Sequence, residues 1–206
     1  MKPRALLLPI PPLAARFGVT ILPAWGWLRD VWSAETAMIL YFLETVVVVL
    51  IVGFGLRLIV PDVDEAGRDI RARRNKLVAD YRWVMFGFTG VIGVFLATIL
   101  LLFLQVSVPW AAVGWVMTAI VALQLFAYGW EAYRLRPLDI ADAEKLINRD
   151  IGRIAVLHLG VFFGAFLAAV RAEWFVWPFL ILKTVVDIGG LLATAGVLEA
   201  EEASSG

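Results

Sequence analysis

The chain alternates long apolar blocks with short polar connections, and this pattern predicts a helical bundle embedded in a membrane. A membrane helix needs about 20 mostly apolar residues, because the hydrocarbon core is about 30 Å thick and each residue rises about 1.5 Å. The blocks that approach or exceed this length are 5–28, 34–60, 83–105, 109–133, 151–177 and 178–198. We therefore predict a single all-α domain over 1–206, a polytopic transmembrane helical bundle of about six spans.

The first block is unlike the others because it contains Arg16 and the four prolines Pro9, Pro11, Pro12 and Pro23. Proline removes a backbone donor and breaks the helical ladder, although membrane helices tolerate it where neighbours satisfy the freed carbonyls. We predict a first span broken by prolines, with a re-entrant or interfacial segment as the alternative. A cleaved signal peptide is disfavoured, because the apolar run is interrupted and no small-x-small cleavage site follows it.

The connections 61–82 and 134–150 are long, charged and helical in period, and they predict two amphipathic cytoplasmic helices. Apolar residues recur there at helical spacing, for example Ile70, Leu77 and Tyr81 in the first connection. Each helix would lie on the membrane or extend the following span. The aspartates of Pro61-Asp62 and Pro137-Leu138-Asp139 are predicted to cap the two helix starts.

Loop charges predict the orientation, because Lys and Arg accumulate on the cytoplasmic side of a membrane. The two long connections hold most of the cations, whereas the other connections hold few. With six spans, every basic segment falls on one side and both termini are cytoplasmic. The expected location is the cytoplasmic (inner) membrane of a prokaryote, with a multi-pass topology.

Tryptophans and one basic run are predicted to meet the lipid interface. Tryptophan prefers the membrane–water boundary, and six fall near the non-cytoplasmic ends of the blocks: Trp25, Trp27, Trp32, Trp110, Trp174 and Trp177. The cations Arg71, Arg73, Arg74 and Lys76 would attract anionic lipid headgroups. The alternative is that they serve only as the orientation signal. Nucleic-acid binding is disfavoured, because acidic residues are interleaved and no reading motif is present.

Composition sharpens this interpretation. The chain is 62% hydrophobic and 17% charged, with 18 Lys plus Arg against 18 Asp plus Glu and no cysteine. An ordinary soluble domain is about half apolar and about a quarter charged. These values exclude a disordered chain, a disulfide scaffold and an ordinary soluble enzyme.

Four charged residues fall deep within the blocks, namely Arg16, Glu44, Lys183 and Asp187. A charge in mid-membrane costs about 2.5–3.5 kcal/mol on insertion scales, so it persists when it is paired or functional. By helix rise, these two cations and two anions fall at a similar depth. We predict an intramembrane charge network, whose role is either to fix helix register or to carry a proton or substrate.

The segments around these charges resemble a known family. Tyr41-Phe42-Leu43-Glu44-Thr45 and Leu182-Lys183-Thr184-Val185-Val186-Asp187 are similar to motifs of uncharacterised prokaryotic integral membrane proteins. That family shows Tyr-Trp-x-Glu-Asn early and Leu-Lys-Thr-x-x-Asp late, so this chain departs from it at Phe42 and Thr45. The resemblance implies no known activity, but it implies that Glu44, Lys183 and Asp187 belong to one constellation.

The residues favour a non-catalytic role. There is no cysteine nucleophile, no arrangement of serine, histidine and aspartate, and no zinc-protease or nucleophile-elbow motif. No cofactor or metal is predicted, although the only histidine, His158, is a candidate axial ligand to a haem or another macrocyclic pigment. The alternative for His158 is a neutral side chain bonded to a neighbouring helix.

The leading hypothesis is an integral membrane subunit of a larger complex of the energy-transducing or photosynthetic kind, which packs against lipids and other integral membrane proteins. The alternative is a small transporter or proton-coupled carrier that uses Glu44, Lys183 and Asp187. A carrier of this size would be expected to act as a homodimer.

Overall fold

The computed structural model describes residues 10–63, 67–100, 108–134, 140–168, 171, 174, 177–178 and 180–186. Five α-helices lie within these ranges: α1 (Ile10–Leu28), α2 (Ala34–Ile59), α3 (Arg71–Thr98), α4 (Trp110–Arg134) and α5 (Ile140–Ala168). A short helical stretch also covers 180–186. The only extended pairing among the described residues is an isolated bridge between Val63 and Asp69. The all-α prediction is therefore confirmed for the described part of the chain.

Three of the described helices are long and apolar enough to cross a membrane, over Ala34–Arg57, Arg71–Thr98 and Trp110–Trp130. A shorter apolar stretch covers Ile154–Gly164 within α5. Helices of this length and composition indicate a membrane protein. The number of six spans and the cytoplasmic termini stay predictions, since much of the block 178–198 lies outside the described residues.

The helix that leads into the block 83–105 begins later than we expected, because we predicted its start at Asp62. Helix α3 begins at Arg71, whose backbone N–H donates to Asp69 Oδ1 at 2.9 Å. Asp62 has another role, because its backbone oxygen accepts from Ile70 N and its carboxylate pairs with Arg71 and Arg74. Charged and apolar segments then form one continuous helix to Thr98. The predicted cap Asp139 lies outside the described residues.

Helix α1 runs without a break through Pro23, although we expected prolines to interrupt it. A proline inside a helix removes one ladder bond and strains the preceding turn. Here Trp32, from the connection to α2, turns back and donates its indole N–H to Pro23 O at 3.0 Å. Gly26 leaves room for this ring, since a β-carbon at Gly26 would lie 1.9 Å from Trp32 Cζ2. Trp32 thus ties the connection before α2 back onto α1 beside Pro23.

The chain divides into two compact units, Met1–Ile151 and Gly152–Gly206. In the first unit, α1 packs against α4 and α2, while α2 also packs against α3 and α4. Helix α2 is therefore central and buries Met38, Leu40 and Tyr41 completely. Ser33 caps its start by accepting from Thr36 N at 3.3 Å. The most buried helix in the first unit is also the one that carries Glu44.

Arg82 ties α3 to α2 within the first unit. Its Nε donates to Gly53 O at 3.0 Å, and its guanidinium lies 4.5 Å from the centroid of the Phe54 ring. A half-buried arginine in an apolar helix is acceptable when it has such partners. The α2–α3 contact is therefore fixed by a polar and a cation–π interaction in addition to apolar packing.

Tyr41 joins α2 to α1 through a buried hydrogen bond, in which its hydroxyl donates to Thr20 O at 2.8 Å. The variant Tyr41→Phe keeps the ring and removes only this donor. A typical buried hydrogen bond contributes about 1 kcal/mol, so we expect the free energy of unfolding to fall by about that amount. Thermal unfolding of the detergent-solubilised protein measures it. An unchanged midpoint would show that the bond contributes nothing to the α1–α2 contact.

Candidate functional site

A buried polar pair joins the middle of α2 to α4. Gln124 Nε2 donates to Glu44 Oε1 at 2.9 Å, and the two residues are 0% and 2% exposed. Both lie inside the membrane-length segments of their helices. The sequence identified Glu44 as a deep charge, but it did not identify Gln124 as its partner. A buried carboxylate gains most from a charge-assisted hydrogen bond of this kind.

Further buried or part-buried polar contacts lie within α1 and α2 and between these two helices. Tyr41 O accepts from the Thr45 hydroxyl at 3.1 Å, and the Thr20 hydroxyl donates to Arg16 O at 3.1 Å. Together with the bond from Tyr41 to Thr20, these contacts form what we call the polar seam, made of Arg16, Thr20, Tyr41 and Thr45. Threonine hydroxyls that bond to their own helix need no outside partner. The polar seam thus lies in the core without leaving these hydroxyls unsatisfied.

Gln124 also presents an acceptor to this buried region. Its Oε1 atom is buried and has no hydrogen-bond partner among the described residues. An unsatisfied buried amide oxygen costs about 1–3 kcal/mol, so a water molecule or a proton donor beside Glu44 would be stabilised there. The pair contains acceptors and one amide donor but no nucleophile. The described residues also include no group of three or more histidine, cysteine or acidic side chains that could hold a metal ion.

The other residues of the predicted network are Lys183, Arg16 and Asp187. Lys183 belongs to the second unit, where it is 0% exposed and lies in the helical stretch 180–186. Arg16 is half-buried in α1. Asp187 lies outside the described residues. Glu44 and Lys183 are thus both buried, as a paired network requires, but their meeting with Asp187 stays a prediction.

His158 is buried in α5, and its Nδ1 lies 2.5 Å from Ile154 O of the same helix. A carbonyl oxygen can only accept, so Nδ1 carries the hydrogen of this bond, and in a neutral ring Nε2 would then hold the lone pair. This bond is to its own helix, and the expected bond to a neighbouring helix stays a prediction. The alternative role as an axial ligand to a haem or pigment would use Nε2, and no contact in the structure tests it.

The basic cluster at the start of α3 is largely engaged within the protein. Arg71 Nε lies 3.3 Å from Asp62 Oδ2, and Arg74 pairs with the same carboxylate. Arg73 Nη2 lies 2.9 Å from Glu144 Oε1 of α5. Lys76 is exposed. Three of the four cations proposed to bind lipid headgroups therefore already have acidic partners, which reduces the charge available to a membrane surface.

The predicted interface tryptophans divide into two groups. Trp25, Trp110, Trp174 and Trp177 expose about half or more of their surface, whereas Trp27 and Trp32 are half-buried. Two of the exposed rings make a cation–π contact with an arginine. Arg29 lies 4.5 Å from the Trp25 centroid, and Arg171 lies 5.5 Å from the Trp174 centroid. An arginine over an indole is typical of the boundary between apolar and wet surroundings.

Comparison with known proteins places the chain in a family but gives it no activity. Neither a curated protein nor a solved structure matches it. A family model described as a family of unknown function (DUF6498) matches residues 4–204. This match extends over nearly the whole chain, including Glu44, Gln124, His158 and Lys183. The chain therefore belongs to this family of unknown function (DUF6498).

Proposed function

We propose that the protein is a non-catalytic integral membrane subunit that assembles with other membrane proteins, in the cytoplasmic membrane of a prokaryote. The observation that carries the proposal is the bare outer surface of α3. A β-carbon added at Gly87 or Gly90 would meet nothing within 4 Å. Small residues on a membrane helix allow a second helix to approach closely. Lipid tails alone do not require such a surface.

The polar pair and the polar seam support a structural role for the interior. The described hydrogen bonds of Glu44 and Tyr41 reach α4 and α1, respectively. In an apolar medium these bonds hold the three helices in one register, since slippage would separate buried polar groups. Helices that are fixed to one another inside the protein, with one face of α3 uncovered, suit a subunit that assembles with other membrane proteins.

Native mass measurement in a mild detergent tests the proposal. We expect wild-type protein to be recovered in particles with other membrane proteins, heavier than its own 22.8 kDa. Gly90→Leu should release it from those particles, because the side chain would hold a partner helix away. Val91→Leu is the matched control, since Val91 is already a large exposed residue of α3. Recovery of the wild type as a monomer or a homodimer alone would overturn the proposal.

A small proton-coupled carrier is the second candidate, and the buried Gln124 Oε1 beside Glu44 favours it. A carboxylate and an acceptor at mid-membrane are the groups that a proton relay uses. In this reading Lys183 and Asp187 complete the pathway.

Flux measurement in proteoliposomes tests the carrier. Glu44→Gln keeps the size of the side chain and removes its charge, so a carrier should lose proton-coupled flux while its unfolding temperature changes little. Glu35→Gln, in the first turn of the same helix, is the control and should leave flux intact. Absence of flux in the wild type, or equal flux in Glu44→Gln, would eliminate this candidate.

A further inference from the structure

An open apolar groove of about 680 Å³ lies within the second unit. One wall is the last part of α5, and the other begins at Trp177 and continues into the helical stretch 180–186. Its lining consists of Phe162, Phe163, Leu167, Trp177, Pro178, Ile181 and Leu182. Grooves of about 300–1,000 Å³ accommodate ligands of the size of a small organic molecule or one lipid chain.

The chemistry of the lining restricts the occupant. Aliphatic and aromatic carbons form nearly all of the surface, and the Trp177 indole N–H is the only polar side-chain group among the lining residues. A peptide backbone or a sugar would bring polar groups that this surface could not satisfy, and each would carry a desolvation cost. An alkyl chain has no such groups, so it suits the groove.

A cation, Arg171, lies close to the groove residue Leu167. Arg171 N donates to O of the groove residue Leu167 at 2.9 Å, and Trp174 N donates to Arg171 O at 3.0 Å. These bonds place the Arg171 backbone one helical turn beyond Leu167 and beside Trp174. Its side chain is exposed and lies over the Trp174 ring. The structure describes no ion pair for it, in contrast with Arg71, Arg73 and Arg74.

An apolar groove close to a cation fits a lipid with an acidic headgroup. A guanidinium presents parallel N–H donors that match the oxygens of a phosphate diester. The nearby indoles of Trp174 and Trp177 are of the kind that lies at headgroup level. A cation one helical turn beyond the groove residue Leu167 thus matches a molecule with an anionic phosphate at the end of an alkyl chain.

We propose that the second unit binds an anionic phospholipid, with an acyl chain in the groove and the phosphate on Arg171. The proposal rests on the membrane location of the proposed function but not on its partner proteins. It also differs from the lipid role predicted for the basic start of α3, where most cations are engaged by carboxylates.

Lipid retention by the full chain, measured by native mass spectrometry, tests the headgroup part. The protein is equilibrated with phosphatidylglycerol or with phosphatidylcholine, and retained lipids are counted. We expect the wild type to favour phosphatidylglycerol by about fivefold, the effect of one cation near a membrane surface. Arg171→Gln should abolish this preference and Arg171→Lys should keep part of it. Arg29→Gln, which removes an arginine stacked on Trp25 in the first unit, is the matched control.

A second variant tests the groove. Leu167→Trp fills the space between the walls, so retention of both lipids should fall several-fold, while circular dichroism verifies that the helices remain. The proposal is overturned if the wild type shows no preference, if Arg171→Gln and Arg29→Gln behave alike, or if Leu167→Trp retains lipid normally. The same spectra report the mass of the assembly independently, so loss of the partner proteins would leave the lipid result readable.

Discussion

Replacing Gln124 with leucine is expected to destabilise the protein by about 2–3 kcal/mol, because it leaves the buried Glu44 carboxylate without the amide donor. The present contact is a 2.9 Å hydrogen bond between residues that are almost completely buried. Leucine fits an apolar environment, so the loss would come from the amide donor that the Glu44 carboxylate no longer has, and not from a poorly packed helix. The free energy of unfolding in mixed detergent micelles is the appropriate measurement.

Two comparisons make this result specific. Thr118→Ala on the same helix removes a hydroxyl that bonds only to Gly114 O at 2.9 Å on an exposed face, so its effect should be below about 0.5 kcal/mol. The double variant Glu44→Leu with Gln124→Leu should recover most of the lost stability, since replacing both partners by apolar groups can be nearly neutral. A double variant as unstable as Gln124→Leu alone would show that the pair is not the cause.

Replacing Gly26 with alanine is expected to lower the free energy of unfolding by about 2 kcal/mol. The new methyl group would lie 1.9 Å from the Trp32 ring, so the ring must move and release its 3.0 Å bond to Pro23 O. Overpacking costs about 1–3 kcal/mol and a hydrogen bond about 1 kcal/mol. The better helix propensity of alanine offsets about 0.5–1 kcal/mol. Thermal unfolding measures the net change, and near-ultraviolet circular dichroism reports the displaced indole.

The background variant Trp32→Ala provides the decisive control for the Gly26 prediction. Without the indole there is nothing to displace, so Gly26→Ala should then be neutral or slightly stabilising. Gly87→Ala serves as a second reference, because its methyl group would meet nothing within 4 Å. A loss from Gly26→Ala that is as large in the Trp32→Ala background as in the wild type, with Gly87→Ala unaffected, would point to backbone conformation at Gly26 and would contradict a role for Trp32.

The sequence predicted the helical class and the burial of its rare charges for a clear physical reason. An ionisable residue within an apolar block cannot face lipid at low cost, so Glu44 and Lys183 had to be buried, and both are. Gln124 gave a weaker signal, because an uncharged amide changes the hydropathy of a block only slightly. It is nevertheless the only amide in 109–133, and that singularity could have identified it as a partner.

Other features depend on contacts that spacing along the chain does not encode. Nothing in the local sequence distinguishes Trp32, which folds inward onto α1, from Trp25, which stays exposed. Asp62 looks like a helix cap because it follows a proline, but its carboxylate is captured by Arg71 and Arg74 of the next helix. Both cases are decided by where a connection returns in space, which a one-dimensional pattern does not contain.

The continuity of α3 has a mechanical consequence. Its 28 residues extend about 42 Å, whereas a hydrocarbon core is about 30 Å thick, so roughly two turns would project when the helix is upright. The charged start, from Arg71 to Lys76, is the end that would project. Because no break separates it from the apolar part, the projecting end and the apolar part would move together as one rigid helix. A sideways displacement of its arginines, through Asp62 or Glu144, would then tilt the rest of α3 against α2.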